Sequence, residues 1–343
     1  MLLFTLKGGR ETVFNPISPY GKDISDLFIF VLGIGGLVFL LVAGLLTYAI
    51  ITGGRRSRHT RKDGLPDEVR QIGGNTRLEF AWTAAPAVLL IALFIPTIMV
   101  MNSSDPAKVN TNKPDVIVIG HQWWWEYQYP NAGVVTANEL HLPVITTTDP
   151  KDPKYNGYLV HLKAADVQHD FWVPALGRKI DIYPDKENFL YLKPTTIGNT
   201  LGACAEYCGA QHAWMRINVI IQSQADFDKW LAEQKVAQTK TAPAAAAGQG
   251  QGDPVRGEQI FLNNTCISCH AITGTTAVSP IAPNLTHLGS RTTLGTGIIV
   301  NDPPNLGRWI TDPSAVKPGV RMPGYQLPMQ DLNDLVAYLE EQK

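Results

Sequence analysis

The sequence lacks an excess of charge of either sign. Its 343 residues include 29 Lys and Arg against 30 Asp and Glu, for a formal net charge of −1 at pH 7. A nucleic-acid-binding protein would show a basic excess or stripe, so we expect no nucleic-acid partner. Cysteine is also scarce, and four cysteines in a chain of this length do not indicate a disulfide-stapled scaffold. The length allows two or three domains.

Two segments lack charged side chains altogether. Leu27–Thr52 is an uncharged run of 26 residues, and Phe80–Met101 is a second run of 22 residues. A helix needs about 20 apolar residues to cross a bilayer. Pro86 and Pro96 lie within the second run, and membrane helices tolerate proline. We predict two transmembrane helices rather than two buried core helices.

The cations around these runs predict an orientation. The segment between the runs carries seven Lys or Arg, whereas residues 1–26 carry three and residues 102–120 carry two. The positive-inside rule therefore places the connecting loop in the cytoplasm and everything after residue 102 outside. Glu79 lies at the cytoplasmic edge of the second span. It is either a helix N-terminal charge favoured by the macrodipole or a functional proton carboxylate.

A β-rich region follows the spans. From Pro114 to about Ile221 the chain consists of short apolar runs bounded by Gly, Pro, Asn and Asp. This pattern predicts an antiparallel sandwich or barrel. The clearest runs are Asp115–Ile119, Tyr158–Lys163, Phe189–Leu192 and Ile217–Ile221.

Soft metal ligands are concentrated near the end of this region. Cys204, Cys208, His212 and Met215 fall within twelve residues, and His169 lies 35 residues before Cys204. Sulfur and imidazole ligands select copper or zinc. A Cys204–Cys208 disulfide would leave Met215 and His169 without a role. A zinc site of two cysteines and two histidines would leave only Met215 spare, so the residues alone leave copper and zinc open.

The run from Cys204 to Met215 resembles the binuclear copper (CuA) box of cytochrome c oxidase subunit II. The resemblance covers about residues 20–235 and implies a cupredoxin β-sandwich behind a two-helix transmembrane hairpin. It implies that Cys204 and Cys208 bridge two coppers, which spreads one electron over both metals. It further implies that His169 and His212 each bind one copper, that Met215 is a weak ligand, and that Glu206 binds through its backbone carbonyl. The Glu206 side chain would also help to hold Mg²⁺ at the interface with subunit I.

The same resemblance assigns two further residues. Trp123, in the run His121–Tyr127, matches the exposed indole through which electrons pass from cytochrome c. Without the family these aromatics would be expected to form strand core, because alternate residues of a strand face inward. Glu79 matches the carboxylate at the mouth of the proton channel into subunit I, which favours its functional interpretation.

A tether and a haem motif complete the chain. Residues 241–252 are small and lack bulky apolar side chains, which indicates a flexible linker. Cys266, Cys269 and His270 then form a Cys-x-x-Cys-His motif. This spacing lets two thiols bond the haem vinyl groups while the histidine reaches the iron, although a lone match could be a zinc or redox pair. With two cysteines for copper and two for haem, none remains for a disulfide.

The region after the motif supports the haem interpretation. Met322 supplies a thioether, and Met/His ligation raises the potential of a haem as an electron carrier requires. Residues 331–341 carry apolar side chains at helical spacing. The whole resembles an all-α class I cytochrome c domain with covalent haem c, in which Pro283–Leu285 lines the haem pocket. The sixth ligand of that family precedes Pro, which favours Met322 over Met329, with His287 as a further competitor.

These observations divide the chain into five segments. They are an outer N-terminal segment (1–26), two spans with a cytoplasmic loop (27–104), a CuA domain (105–236), a linker (237–252) and a cytochrome c domain (253–343). Neither span contains histidine, so this chain has no ligand to hold a haem inside the membrane. Oxygen chemistry must therefore belong to a partner.

The sequence therefore predicts the electron-accepting subunit of a respiratory oxidase of the cytochrome c-fused (caa) type. Electrons would pass from haem c through CuA to subunit I, where oxygen is reduced to water with proton translocation. The resemblance implies subunits I and III as partners, a cytochrome c or respiratory complex as donor, and a bacterial inner membrane with both metal domains outside. A nitric oxide reductase subunit and a membrane-anchored copper carrier remain alternatives.

Overall fold

This computed structural model of the chain describes residues 12–56, 73–103, 113–236 and 252–343. Most of the predicted cytoplasmic loop and all of the predicted linker except Gly252 lie outside these residues. The chain divides into two compact units, one of residues 23–103 and one of residues 1–22 and 104–343.

The first unit consists of two long apolar helices. Helix α1 spans Pro19–Arg56, helix α2 spans Thr76–Ser103, and both are long and apolar enough to cross a membrane. Helix α1 begins well before the uncharged run because the Ser18 hydroxyl accepts a hydrogen bond from the backbone N–H of Gly21 at 2.9 Å. The Asn75 side chain caps α2 in the same way. The prediction of two membrane-type helices is confirmed.

Ten strands between residues 116 and 222 form two five-stranded sheets. The first sheet has the order β3-β2-β1-β5-β8 and the second the order β4-β10-β9-β6-β7. Most pairs are antiparallel, but β1 runs parallel to β5 and β10 parallel to β4. The strands are β1 (Val116–His121), β2 (Trp124–Tyr129), β3 (Val134–Ala137), β4 (Glu139–Pro143), β5 (Tyr158–Ala164), β6 (His169–Trp172), β7 (Ile180–Ile182), β8 (Asn188–Leu192), β9 (Gly198–Cys204) and β10 (Arg216–Gln222).

A single apolar core fills the space between the two sheets. On β2, Trp125 and Tyr127 are fully buried in this core, whereas the intervening Glu126 is only partly buried, which is the alternation expected of a strand. Val118 and Val219 enter the same core from β1 and β10. Helix α3 (Gln224–Lys235) follows the last strand, and its Trp230 packs against Tyr129 at 5.3 Å between ring centroids. The predicted β-sandwich is confirmed.

The C-terminal region is mainly helical. Three of its helices begin with proline directly after an aspartate, and each aspartate side chain accepts hydrogen bonds from the first turn. Proline suits this position because its missing N–H would have no intrahelical partner. The helices are α4 (Pro254–Asn263), α5 (Pro303–Thr311), α6 (Pro313–Val316) and α7 (Met329–Glu340), and a short hairpin of β11 (Thr293–Leu294) and β12 (Ile299–Val300) precedes α5.

Helices α4 and α7 pack closely around a second core. A Cβ atom on Gly257 of α4 would lie 2.0 Å from the carbonyl oxygen of Asp334 on α7, so only glycine permits this approach. Phe261, Leu335 and Leu339 fill the core beside this contact. The predicted helical haem domain and its terminal helix are confirmed, and the short hairpin of β11 and β12 is an addition to the helices.

Candidate metal and haem sites

The candidate metal site is built on the loop that joins β9 to β10. The two strands pair antiparallel, with Ala203 opposite Arg216, and the backbone N–H of Cys204 bonds the carbonyl of Met215 at 3.0 Å. The hairpin therefore brings the first and last ligand candidates of the loop together. His169 begins β6, which pairs with β9, so register places it beside the same loop.

Each cysteine sulfur has its own imidazole neighbour. The Sγ atoms of Cys204 and Cys208 are 3.7 Å apart. The Nδ1 atom of His169 lies 3.9 Å from the Cys204 sulfur, and the Nδ1 atom of His212 lies 3.9 Å from the Cys208 sulfur. The site is thus a central sulfur pair with one imidazole on each side.

Two weaker donors complete the same pattern. The Met215 sulfur lies 3.8 Å from the Cys208 sulfur, and the side chain of Met215 is fully buried. The carbonyl oxygen of Glu206 lies 3.2 Å from the Cys204 sulfur. Each sulfur therefore has one imidazole and one weak donor close to it.

This donor set fits two metal ions better than the alternatives. A disulfide needs an S–S distance near 2.05 Å, far below the observed separation, and both cysteines are free. A structural zinc ion takes four ligands and would leave the buried Met215 unused. Soft sulfur and imidazole donors suit copper, and two shared thiolates could serve two coppers at once.

The His169 ring is held from two sides. Its Nε2 atom lies 3.0 Å from the carboxylate of Asp166, which leaves Nδ1 directed to the sulfurs. A Cβ on Gly120 would lie 2.9 Å from His169 Cδ2, so glycine on β1 makes room for the ring. Burial lowers the pKa of His169, but the hydrogen bond with Asp166 and the contact with Cys204 outweigh it and raise the pKa overall.

The two thiols differ in their tendency to lose a proton. The hydrogen bond from Cys208, together with that from His169, lowers the pKa of Cys204 despite burial. The same hydrogen bond and burial raise the pKa of Cys208. One member of the pair is therefore ready as a thiolate, which is the metal-binding form of cysteine.

The haem motif has one ligand already oriented. Cys266 lies in a short helical turn, Cys269 ends it, and both thiols are free and partly buried. The Nδ1 atom of His270 lies 2.8 Å from the carbonyl of Pro283, so the ring can donate there and keep Nε2 for a metal. Burial lowers the pKa of His270, which favours the neutral, ligating form. These features fit a covalent haem.

The candidates for the sixth haem ligand are in different surroundings. Met322 is partly buried, whereas Met329 is 73% exposed at the start of α7. The His287 ring lies 3.1 Å from the backbone carbonyl of Gln234, at the end of α3. His287 is thus bonded to the end of α3, and the greater burial of Met322 favours it over Met329.

Trp123, Glu79 and the side chain of Glu206 are the remaining predicted site residues. Trp123, expected as an exposed indole, is partly buried, and Arg321 of the haem domain lies over its ring. Its Nε1 atom donates to the carbonyl of Cys208 at 3.0 Å. Glu79 is an exposed residue in the first turn of α2. The Glu206 carboxylate accepts a hydrogen bond from the backbone N–H of Tyr207 at 3.2 Å.

Three residues that support the metal site were not predicted from the sequence. Asp166 precedes His169 by three positions, which could have marked it as an orienting carboxylate. Gly120 and Gln211 become recognisable only in the assembled fold, because the partners of both are distant in the chain. Gly120 faces His169, and the Gln211 amide donates to the backbone carbonyl of Lys317.

Comparisons with known protein families match three regions of the chain. Residues 13–100 match the transmembrane domain of cytochrome c oxidase subunit II, residues 115–223 match its periplasmic domain, and residues 254–343 match cytochrome c.

Several whole proteins of known kind are similar to this chain. Cytochrome c oxidase subunit 2 of Alkalihalophilus pseudofirmus is 33% identical over 337 residues, which cover 97% of this chain and 91% of the relative. Cytochrome c oxidase subunit 2 of Bacillus sp. (strain PS3) is 35% identical over 303 residues, covering 83% of this chain and 78% of the relative. The crystal structure of the periplasmic domain of subunit II of cytochrome oxidase of Bradyrhizobium japonicum is 28% identical, with a TM-score of 0.31, and the match covers 37% of this chain and 97% of that one.

These matches imply a subunit of a haem-copper oxidase, which is an oxidoreductase complex, with subunit I as its partner. They also imply copper in the periplasmic domain and haem in the cytochrome c domain. The two apolar helices agree with a two-pass membrane protein. The chain therefore belongs to the cytochrome c oxidase subunit II family, and it adds to that architecture a cytochrome c domain.

Proposed function

We propose that this subunit passes electrons from its own haem c domain, through a binuclear copper centre, to subunit I. The complex would reduce oxygen to water and translocate protons. The observation that carries the proposal is the paired donor set, in which each cysteine sulfur has its own imidazole nitrogen at 3.9 Å. A pair of coppers held by shared thiolates supplies one-electron transfer with little rearrangement of its ligands.

The residues of the chain have distinct tasks in this proposal. Cys204 and Cys208 would hold both metals, His169 and His212 would each bind one, and Met215 and the Glu206 carbonyl would be weak ligands. The strand framework around them keeps the ligand positions fixed, because His169 and Cys204 lie on paired strands. Asp166 orients His169 through its second ring nitrogen.

The haem domain has a matching division of labour. Cys266 and Cys269 would hold haem c covalently, and His270 through Nε2 and Met322 through its sulfur would bind the iron. The hydrogen bond from His270 Nδ1 to the Pro283 carbonyl fixes the orientation and the tautomer of the imidazole ring. Ligation by methionine and histidine suits an electron carrier of raised potential.

The proposal extends to the partners. Glu79 would lie at the entrance of the proton channel into subunit I, and Glu206 would help to hold Mg²⁺ at the interface with that subunit. Subunit III and an external cytochrome c or respiratory complex complete the assembly, in a bacterial inner membrane with the copper and haem domains on the outer side.

Purification of the complex and assay of oxygen uptake test the proposal. We expect two coppers and one covalent haem in this subunit, a delocalised mixed-valence copper spectrum, and oxygen uptake from a reduced cytochrome c. Zinc or a single copper would overturn the copper centre. Reduction of nitric oxide without oxygen uptake would assign the subunit to a nitric oxide reductase, and ready release of copper without subunit I would indicate a copper carrier.

A further inference from the structure

The haem domain contacts the copper domain through buried polar groups, and the first contact is centred on Glu139. This carboxylate on β4 accepts hydrogen bonds from the backbone N–H groups of Thr292 at 2.9 Å and Thr293 at 3.0 Å. It also accepts from both threonine hydroxyls. Glu139 is only 2% exposed. A buried carboxylate needs several donors, and the haem domain provides them.

The second contact involves the metal loop itself. Gln211 lies next to His212 and is 1% exposed. Its amide nitrogen donates to the backbone carbonyls of Lys317 at 3.1 Å and Pro318 at 3.0 Å. Both N–H groups of this amide are therefore bonded to the haem domain.

The third contact covers Trp123. The Lys317 side chain is 2% exposed, and its Nζ donates to the backbone carbonyl of Trp123 at 3.2 Å and to the Thr296 hydroxyl. The guanidinium of Arg321 lies 5.0 Å from the centroid of the Trp123 ring and donates to the side-chain oxygen of Gln122. A cation in this position is attracted to the face of the ring.

These contacts are those of a lasting interface. Transient interfaces keep most charged groups at a wet rim. Here a carboxylate, an amide and a lysine ammonium are buried and form hydrogen bonds between the two domains. The two domains also belong to one chain, so docking is intramolecular. The effective concentration of one domain near the other is therefore high, which favours the docked state.

The third contact joins two positions of the proposed electron path. Arg321 directly precedes Met322, and the Trp123 indole that it covers donates a hydrogen bond to the carbonyl of Cys208. A short path therefore connects Met322 with the metal loop. It runs along the peptide bond to Arg321 and the Arg321 side chain, across the contact with the Trp123 ring, and over the hydrogen bond from the indole to the loop.

We propose that residues 317–321 of the haem domain occupy the Gln122–Trp123 surface in the working enzyme, with Lys317 and Arg321 as positioning residues for electron transfer into the copper domain. An outside donor then meets the haem domain and not Trp123. This inference rests on the proposed function for its electron path, but the docking itself can be measured without electron flow.

Hydrogen exchange read by mass spectrometry on the purified complex tests the docking. The informative peptides cover residues 290–296, which include the Thr292 and Thr293 amides that bond to Glu139, and residues 315–321. The main variant is Glu139→Ala, which touches neither Trp123 nor the haem motif, and Arg321→Gln is the second. Glu233→Ala on α3 and Arg308→Gln on α5 are matched controls, because both residues are exposed and bond within their own helix.

We expect Glu139→Ala to speed exchange in both peptides by about tenfold, because hydrogen bonds to a charged group are lost and the interface opens as one unit. Arg321→Gln is expected to do the same, and both variants should slow electron transfer from haem c to copper after flash reduction of the haem. Both controls should match the unmodified complex. The absorption band of the Met–iron bond should persist in every variant.

Three results would overturn the inference. The two peptides could exchange as freely as solvent-exposed chain in the unmodified complex. Glu139→Ala could speed exchange only in residues 290–296. Exchange could rise in both peptides with no change in the rate of transfer to copper, which would remove the positioning role. If haem c in the unmodified complex does not reduce copper at all, the proposed function fails while the exchange data still decide the docking.

Discussion

The indole nitrogen of Trp123 donates a hydrogen bond of 3.0 Å to the carbonyl oxygen of Cys208. The Gln122 side chain donates to the same oxygen at 2.7 Å. Gly209 makes this approach possible, because a Cβ at that position would lie 3.0 Å from Trp123 Cζ2 and the residue has φ +117°. Trp123 is thereby attached to the metal loop, whereas its neighbour Trp125 is fully buried between the sheets.

Replacing Trp123 with phenylalanine should slow electron transfer into the copper domain and leave the metals in place. The variant keeps an aromatic ring but loses the N–H that bonds the Cys208 carbonyl. We expect the transfer rate to fall by about tenfold, equivalent to about 1.4 kcal/mol in the barrier. Flash reduction of haem c, followed by the copper absorbance, measures this rate. An unchanged rate would remove Trp123 from the path.

Replacing Cys208 with serine should abolish copper binding and preserve the covalent haem. A hydroxyl is a harder ligand than a thiolate and does not bridge two coppers. The haem should survive because the haem domain has its own core, built around Phe261 and Leu335. Cys269→Ser is the reciprocal variant, expected to lose the second thioether bond and to keep both coppers. Metal analysis and haem staining measure the two outcomes, and joint loss of both groups would contradict the division into two modules.

The elements of the fold were predictable where one physical signal dominates. The two helices follow from long uncharged runs, and strands β1, β5, β8 and β10 follow from short apolar runs between turn residues. Strand β9 was not predicted, because its sequence Gly198–Cys204 has small and polar residues. It forms because β10 and β6 provide hydrogen-bonding partners on both sides.

The candidate metal residues were predictable because four of them lie in one short loop. Their arrangement was not, since it depends on strand register that brings His169 next to Cys204. The interface contacts had no signal in the sequence. Gln211 and Lys317 are 106 residues apart, and each is an ordinary polar residue until the two domains meet.

Replacing Asp166 with asparagine should weaken copper binding without loss of the fold. The Asp166 carboxylate lies 3.0 Å from His169 Nε2, and partners of this kind typically change metal affinity by about 10–100-fold. Asp149→Asn is the control, because Asp149 is also an exposed turn carboxylate that accepts a backbone N–H. Competition with a copper chelator measures the affinity. Equal copper retention in both variants would show that Asp166 does not support the site.

A buried histidine outside the metal site should make the copper domain sensitive to acid. His141 on β4 stacks on Trp230 with 4.0 Å between ring centroids, and its Nδ1 lies 3.0 Å from the Gln222 side chain. Burial lowers the pKa of His141 to about 4, although the hydrogen bond with Gln222 opposes the change. The folded domain thus disfavours the charged ring.

The unfolded chain binds this proton near pH 6.5, whereas the folded domain binds it only near pH 4. The contribution of neutral His141 to the free energy of unfolding is therefore fully present above pH 6.5. It is lost as the pH falls towards 4, by about 3 kcal/mol at most. His141→Phe keeps a ring against Trp230 and removes the titration, so its urea midpoint should change less across this range. The measurement is the urea midpoint of the copper domain at several pH values in the full chain. Parallel loss of stability in both proteins would mean that other groups, and not His141, cause the acid sensitivity.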